Sequence, residues 1–186
     1  MNKNFNNIQE ILFNTNKQKA LRVLAQNPTQ YLMASEIIGS TKMSKAGASI
    51  ALRELFNADL VERSIKGKTH LYQVYSHDPL VKQFKVTATI AELYPLIKKL
   101  QKISQQIILF GSTSRGENLE DSDIDLFILT RTEGEVRKTI KNFKSHNKIK
   151  AILKNSSSFA KLEKEDPTFY QEIQRGIVLW EQQEYE

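Results

Sequence analysis

Apolar positions recur at helical spacing through the first third of the chain and then give way to strand-like runs. Phe5, Ile8, Ile11 and Leu12 are spaced for an amphipathic helix, which reads equally as a dimer helix or as a strap over a core. Lys17 to Gln26 predicts a helix with Ala20, Leu21, Val23 and Leu24 inward, stopped near Asn27-Pro28. A short second helix is expected to begin at Ala34 or Ser35 and to end in a Gly39-Ser40-Thr41 turn. Ser44 then caps a third helix running to about Ala58, with Ala48, Ala51, Leu52, Leu55 and Phe56 on one side. Leu60–Ile65 and Thr69–Tyr75 predict a hairpin around a Lys66-Gly67-Lys68 loop. Asp78-Pro79 closes this module, giving a first domain over residues 1–78 and a second over 79–186.

The second domain opens with a helical connector to about residue 104, broken or kinked at Pro95 and carrying Ile90, Leu93, Ile97 and Leu100 as one stripe. The short connection lacks a Gly/Ser linker, so rigid contact between the domains is expected. Two apolar strands follow, Ile107–Phe110 and Asp123–Ile128. Further on come a helix at 135–143 and a strand at 148–153. Ser156–Ser158 reads as a helix-entry loop, Asp166-Pro167 opens another helix, and Gly176–Trp180 makes a closing strand, with Trp180 expected in the core. Helices and strands in this order predict an α+β fold.

The chemistry concentrates between the two apolar strands. The first ends in Gly111-Ser112, where glycine lets the backbone approach a ligand and serine offers a hydroxyl. If Thr113 to Gly116 open a helix, their N–H groups meet an anion, and Arg115 adds a charge suited to phosphate. Asp123 and Asp125 alternate onto one face of the second strand, where a divalent cation would relieve their repulsion. The plainer reading makes Glu120, Asp121, Asp123 and Asp125 a solvated acidic loop beside an ordinary glycine turn.

Gly111-Ser112-Thr113-Ser114-Arg115-Gly116 followed by Ser122-Asp123-Ile124-Asp125-Leu126 resembles the signature of the polymerase-β-like nucleotidyltransferases, in its minimal branch, over about residues 90–180. That resemblance implies a mixed sheet with helices on one side, and transfer of a nucleoside monophosphate from an NTP with release of pyrophosphate. It implies that Gly111 and Ser112 contact the terminal phosphates and that Asp123 and Asp125 ligate two Mg2+ (or Mn2+) ions. Active members carry a third carboxylate on the next strand. Here the matching position is Lys150, with Lys148 on the same face, and a lysine cannot ligate a metal. Glu133, Glu135 or a partner's residue stand as substitutes.

Charge separates the halves. Residues 1–85 hold 12 Lys/Arg against 6 Asp/Glu, and residues 86–186 hold 15 against 15, so the net +6 belongs to the first half. A basic module suggests a polyanionic partner. The order helix, short helix, longer helix, hairpin resembles the winged helix-turn-helix family over Asn16 to Tyr75, with Asp59-Leu60-Val61 in place of its usual Gly-Leu-Val. The resemblance implies that Lys42, Ser44, Lys45, Ser49 and Arg53 face double-stranded DNA, and that Arg63, Lys66 and Lys68 meet phosphates from the wing. The competing reading is a solvated basic face on a module used for dimerisation or protein docking.

The absence of cysteine removes disulfides, thiolate zinc sites and cysteine nucleophiles. No run approaches the ~20 apolar residues that span a bilayer, so a cytoplasmic protein is expected. His70, His77 and His146 have no ligand spacing. Three functions follow: an enzyme transferring a nucleoside monophosphate to an unknown acceptor, a DNA-binding regulator that only binds nucleotide, or an interaction module in which neither site works.

Overall fold

A computed structural model describes residues 8–183; Phe5 lies outside that range. The chain divides between Ala88 and Thr89 into two units, inside a helix rather than at the 78/79 border read from Asp78-Pro79.

In the first unit, α1 (Ile8–Leu12) precedes α2 (Asn16–Gln26), which Thr15 and Gln18 start with a reciprocal capping box. β1 (Leu32–Met33), missed in the sequence because it is only two residues long, leads into α3 (Ala34–Thr41). Gly39, Ser40 and Thr41 belong to this helix instead of forming a turn. Ser40 and Thr41 return their hydroxyls to the carbonyls of Glu36 and Ile37, which holds the last turn helical. Lys42 stops it in the left-handed region at φ 57°. α4 (Lys45–Asn57) starts where expected, with the Ser44 hydroxyl accepting the Gly47 N–H at 3.1 Å.

β2 (Val61–Lys66) and β3 (Thr69–Val74) form the hairpin, with Lys66 opposite Thr69. The loop therefore has two residues rather than three, and Gly67 sits first in it at φ +63°, as a type II′ turn needs. The sheet order is β1-β3-β2, and the core joins Leu21, Leu24, Ile37, Leu52, Leu55 and Val61, all at least 94% buried. Asp59 occupies a left-handed position at φ 54°. L-residues pay there and glycine does not, so Asp59→Gly is expected to stabilise the protein by about 0.5–1 kcal/mol. Urea unfolding reads this as a raised midpoint at unchanged slope.

α5 (Pro79–Leu100) runs through Pro95 without ending. Leu93, Leu96, Ile97 and Leu100 are all buried around the missing hydrogen bond, and packing outweighs the local cost. The second unit is built on a four-stranded sheet of order β6-β5-β4-β7. β4 (Gln106–Phe110) pairs antiparallel with β5 (Ile124–Leu129) and with β7 (Ile177–Glu181). β6 (Ile149–Lys154) is parallel to β5, and α7 (Glu133–Lys141) makes the crossover that a parallel pair requires.

The class is mixed α+β, as the sequence implies. The helices, expected on one side of the sheet, lie on both. Ile107, Leu109, Ile124, Leu126 and Ile128 pack with α5 and α7, and Trp180 joins this layer. Their alternate neighbours Ile108, Phe110 and Phe127 pack with α8 (Ser156–Glu165) and α9 (Pro167–Gln174). β4 and β5 are apolar on both faces, and two apolar faces need two covers. Ser156–Ser158 form the first turn of α8, capped by Asn155, instead of a loop.

Candidate functional site

β4 delivers Gly111 directly into α6 (Gly111–Ser114), so the short helix starts two residues earlier than Thr113 and ends before Arg115. Gly111 takes φ +71°, and a Cβ there would lie 2.7 Å from Asp125 Oδ2. Only glycine combines this backbone with so close a carboxylate. Ser112 is half-buried, and its carbonyl accepts the N–H groups of Arg115 and Glu117. Thr113 is buried and donates its hydroxyl to the Asp123 carbonyl at 3.2 Å. Asn147 donates its side-chain amide to the carbonyls of Glu120 and Ser122 at 2.7 and 2.9 Å. Thr113 and Asn147, the second of which the sequence does not single out, fix the acidic loop from its two ends.

Asp125 lies in β5, opposite Phe110 and beside Lys150 in register. Asp123 stands one residue before the strand rather than in it. Its carboxylate is held by Lys150, Nζ to Oδ2, at 2.5 Å. That bond and the charge of Asp123 push the Lys150 ammonium above its usual range. Burial pushes the Asp125 carboxyl up; Lys150 opposes this, while the charges of Asp123 and Glu172 add to it. Glu172, on α9, is a further carboxylate that sequence distance concealed. Arg115 is partly engaged within the loop: its Nε donates to Glu117 Oε2 at 2.9 Å.

Residues 91–185 match the family model described as polymerase beta, nucleotidyltransferase. The chain belongs to the polymerase β nucleotidyltransferase family. No curated protein matches it. Among solved structures, it is similar to TrmBL2, an archaeal chromatin protein whose structure shows a novel mode of DNA binding. That match has a TM-score of 0.33 at 12% identity, covering 89% of this chain and 76% of the other.

Within this nucleotidyltransferase domain, the donor set suits one divalent ion better than two. Mg2+ is commonly held by one or two carboxylates plus substrate phosphates, and Asp123 with Asp125 meet that minimum. No cluster of three metal-ligating side chains occurs among the described residues. Glu133 and Glu135 begin α7, and Glu133 pairs with Arg137 at 3.5 Å.

The residues expected to face DNA fall in four places in the first unit. Lys45, Ser49 and Arg53 recur every fourth position along α4 and are exposed. Lys66 ends β2 and Lys68 is the second residue of the hairpin turn, and one groove is lined by Lys45, Ser49 and Lys68 together. Lys42 caps α3, and Ser44 uses its hydroxyl on the α4 cap. Arg63 stacks its guanidinium over Phe56, 4.5 Å from the ring centroid.

Among the described residues no helix is long and apolar enough to cross a membrane.

Proposed function

We propose that the protein is a DNA-binding regulator whose nucleotidyltransferase domain binds an NTP with one divalent ion and does not turn it over. The observation that carries this reading is the Lys150 ammonium on Asp123, at the strand position where the resemblance calls for a third carboxylate. A cation there offsets the charge of one carboxylate and repels a second metal ion. Gly111 and the α6 backbone would receive the terminal phosphates, and Ser112 would donate its hydroxyl to them. Asp123 and Asp125 would hold Mg2+ or Mn2+, whose contribution is to neutralise the triphosphate. Because Asp125 is costly to charge without that ion, Asp125→Asn is expected to lose nucleotide binding. It should also raise the unfolding midpoint of the unliganded protein. Thermal melts with and without nucleotide read both effects.

The N-terminal unit is read as a winged helix meeting double-stranded DNA. The stripe of α4 and the hairpin tip support this, together with the concentration of all net charge in residues 1–85. Fluorescence anisotropy of a labelled duplex tests it. Affinity should fall steeply with salt, and Lys45→Ala/Lys68→Ala should lower the logarithmic salt slope by roughly 1 per lysine removed. A protein that binds no duplex at low ionic strength would defeat this part of the reading. A second reading keeps the enzyme, passing a nucleoside monophosphate to an acceptor hydroxyl. It draws on Glu172, whose charge acts on Asp125 and which would stand in for the missing carboxylate.

A further inference from the structure

The basic face of the N-terminal unit carries more than DNA binding would use. A groove of about 420 Å3 opens between α3, the first half of α4 and β3. Its floor is apolar, made by Met33, Ile38, Leu52 and Tyr72. Met33 keeps 38% of its surface exposed, although it begins a helix that could have carried a polar cap instead. The rim carries the ammonium groups of Lys45 and Lys68, and no carboxylate lines the groove. A phosphate backbone would engage that rim and leave the floor unfilled, since phosphate gains nothing from burial against Met and Leu.

The size falls within the ~300–1,000 Å3 of small-molecule sites, and an apolar floor with a few convergent polar groups is their usual lining. Methionine adapts its shape to a ring and favours sulfur–aromatic contact. The two lysines then select the sign of the ligand's charge. We propose that this groove binds a small aromatic anion, its ring on Met33 and Leu52 and its acidic group between Lys45 and Lys68. We infer further that the bound anion excludes duplex DNA, because Lys45, Ser49 and Lys68 are common to both surfaces. This second step rests on the DNA-binding reading; the first does not.

The full chain is titrated with anilinonaphthalene sulfonate, an aromatic sulfonate whose fluorescence reports an apolar site. The wild type and Met33→Leu should bind it alike. Met33→Glu, which places a carboxylate on the floor, should bind at least tenfold more weakly. Both substitutions preserve the backbone N–H that in the wild type donates from Met33 to Glu36 Oε2 at 2.7 Å, so α3 should stay capped. Duplex anisotropy then follows at saturating probe. The wild type should lose at least tenfold in DNA affinity, and Met33→Glu should lose none. Equal probe binding by wild type and Met33→Glu would overturn the site. Undiminished DNA binding by the probe-saturated wild type would overturn the exclusion. Met33-dependent probe binding in a protein that binds no duplex at any salt would remove the DNA reading and leave the groove assigned.

Discussion

Replacing Lys150 with glutamate is expected to make the protein's stability depend on Mg2+. The substitution removes the cation held at 2.5 Å from Asp123 and sets a third carboxylate beside Asp125, its neighbour in register. Without metal, three like charges crowd one end of the sheet, and the unfolding midpoint should drop below that of the wild type. A divalent ion that binds only the folded state restores it by RT ln(1 + [L]/Kd), about 2.7 kcal/mol at a hundredfold excess over Kd. Lys150→Ala separates the two effects, since it breaks the pair without supplying a ligand. Thermal melts of all three proteins over a Mg2+ titration should show a large rise only for Lys150→Glu. If that variant melts like the wild type at every Mg2+ concentration, Lys150 does not occupy a metal position. On the same logic Lys150→Glu should show nucleotide transfer where the wild type shows none, read with α-labelled NTP.

Gly111→Ala is expected to be the most damaging single-methyl change for nucleotide binding. At φ +71° an L-residue costs roughly 1–2 kcal/mol, and the added Cβ lies 2.7 Å from Asp125 Oδ2. The carboxylate must swing away, which moves a metal-binding oxygen and closes the backbone approach to phosphate together. Nucleotide affinity should fall at least a hundredfold, and stability by about 1–2 kcal/mol, leaving the protein folded at room temperature. Gly39→Ala is the matched control. It lies within α3 with nothing inside 4 Å of the new Cβ, so it should gain about 0.5–1 kcal/mol and leave nucleotide affinity unchanged. Calorimetric titration with NTP and Mg2+ distinguishes the two variants. Equal affinity for Gly111→Ala and wild type would place the phosphates elsewhere.

These expectations draw on what the sequence shows and on what it hides. Local signals were legible: Ser44 as a helix cap, the Gly67 turn, the apolar runs of β4 and β5, and Gly111 beside a pair of carboxylates. Each depends on residues within a few positions of one another. What was hidden depends on partners brought together by folding. Asp123 falls just outside β5, where Thr113 and Lys150 hold it, and strand alternation cannot see either. Arg115 is taken by Glu117, two residues away, a competition that a phosphate motif does not reveal. The charge of Glu172 acts on Asp125 only because α9 covers the face of the sheet opposite α5 and α7. That second cover was itself implicit in β4 and β5, whose alternate residues are apolar on both sides.

The central claim is that the C-terminal domain holds a nucleotide without transferring it. The most direct measurement incubates the protein with each α-labelled NTP, Mg2+ or Mn2+ and a lysate of its own source, beside an Asp123→Ala/Asp125→Ala control. Filter binding and gel analysis are then run on the same samples. Saturable retention of at least one NTP, lost in the control and accompanied by no covalent label on any acceptor, is the predicted result. Label transferred to an acceptor by the wild type and not by the control would contradict the account and make the protein an active nucleotidyltransferase despite Lys150.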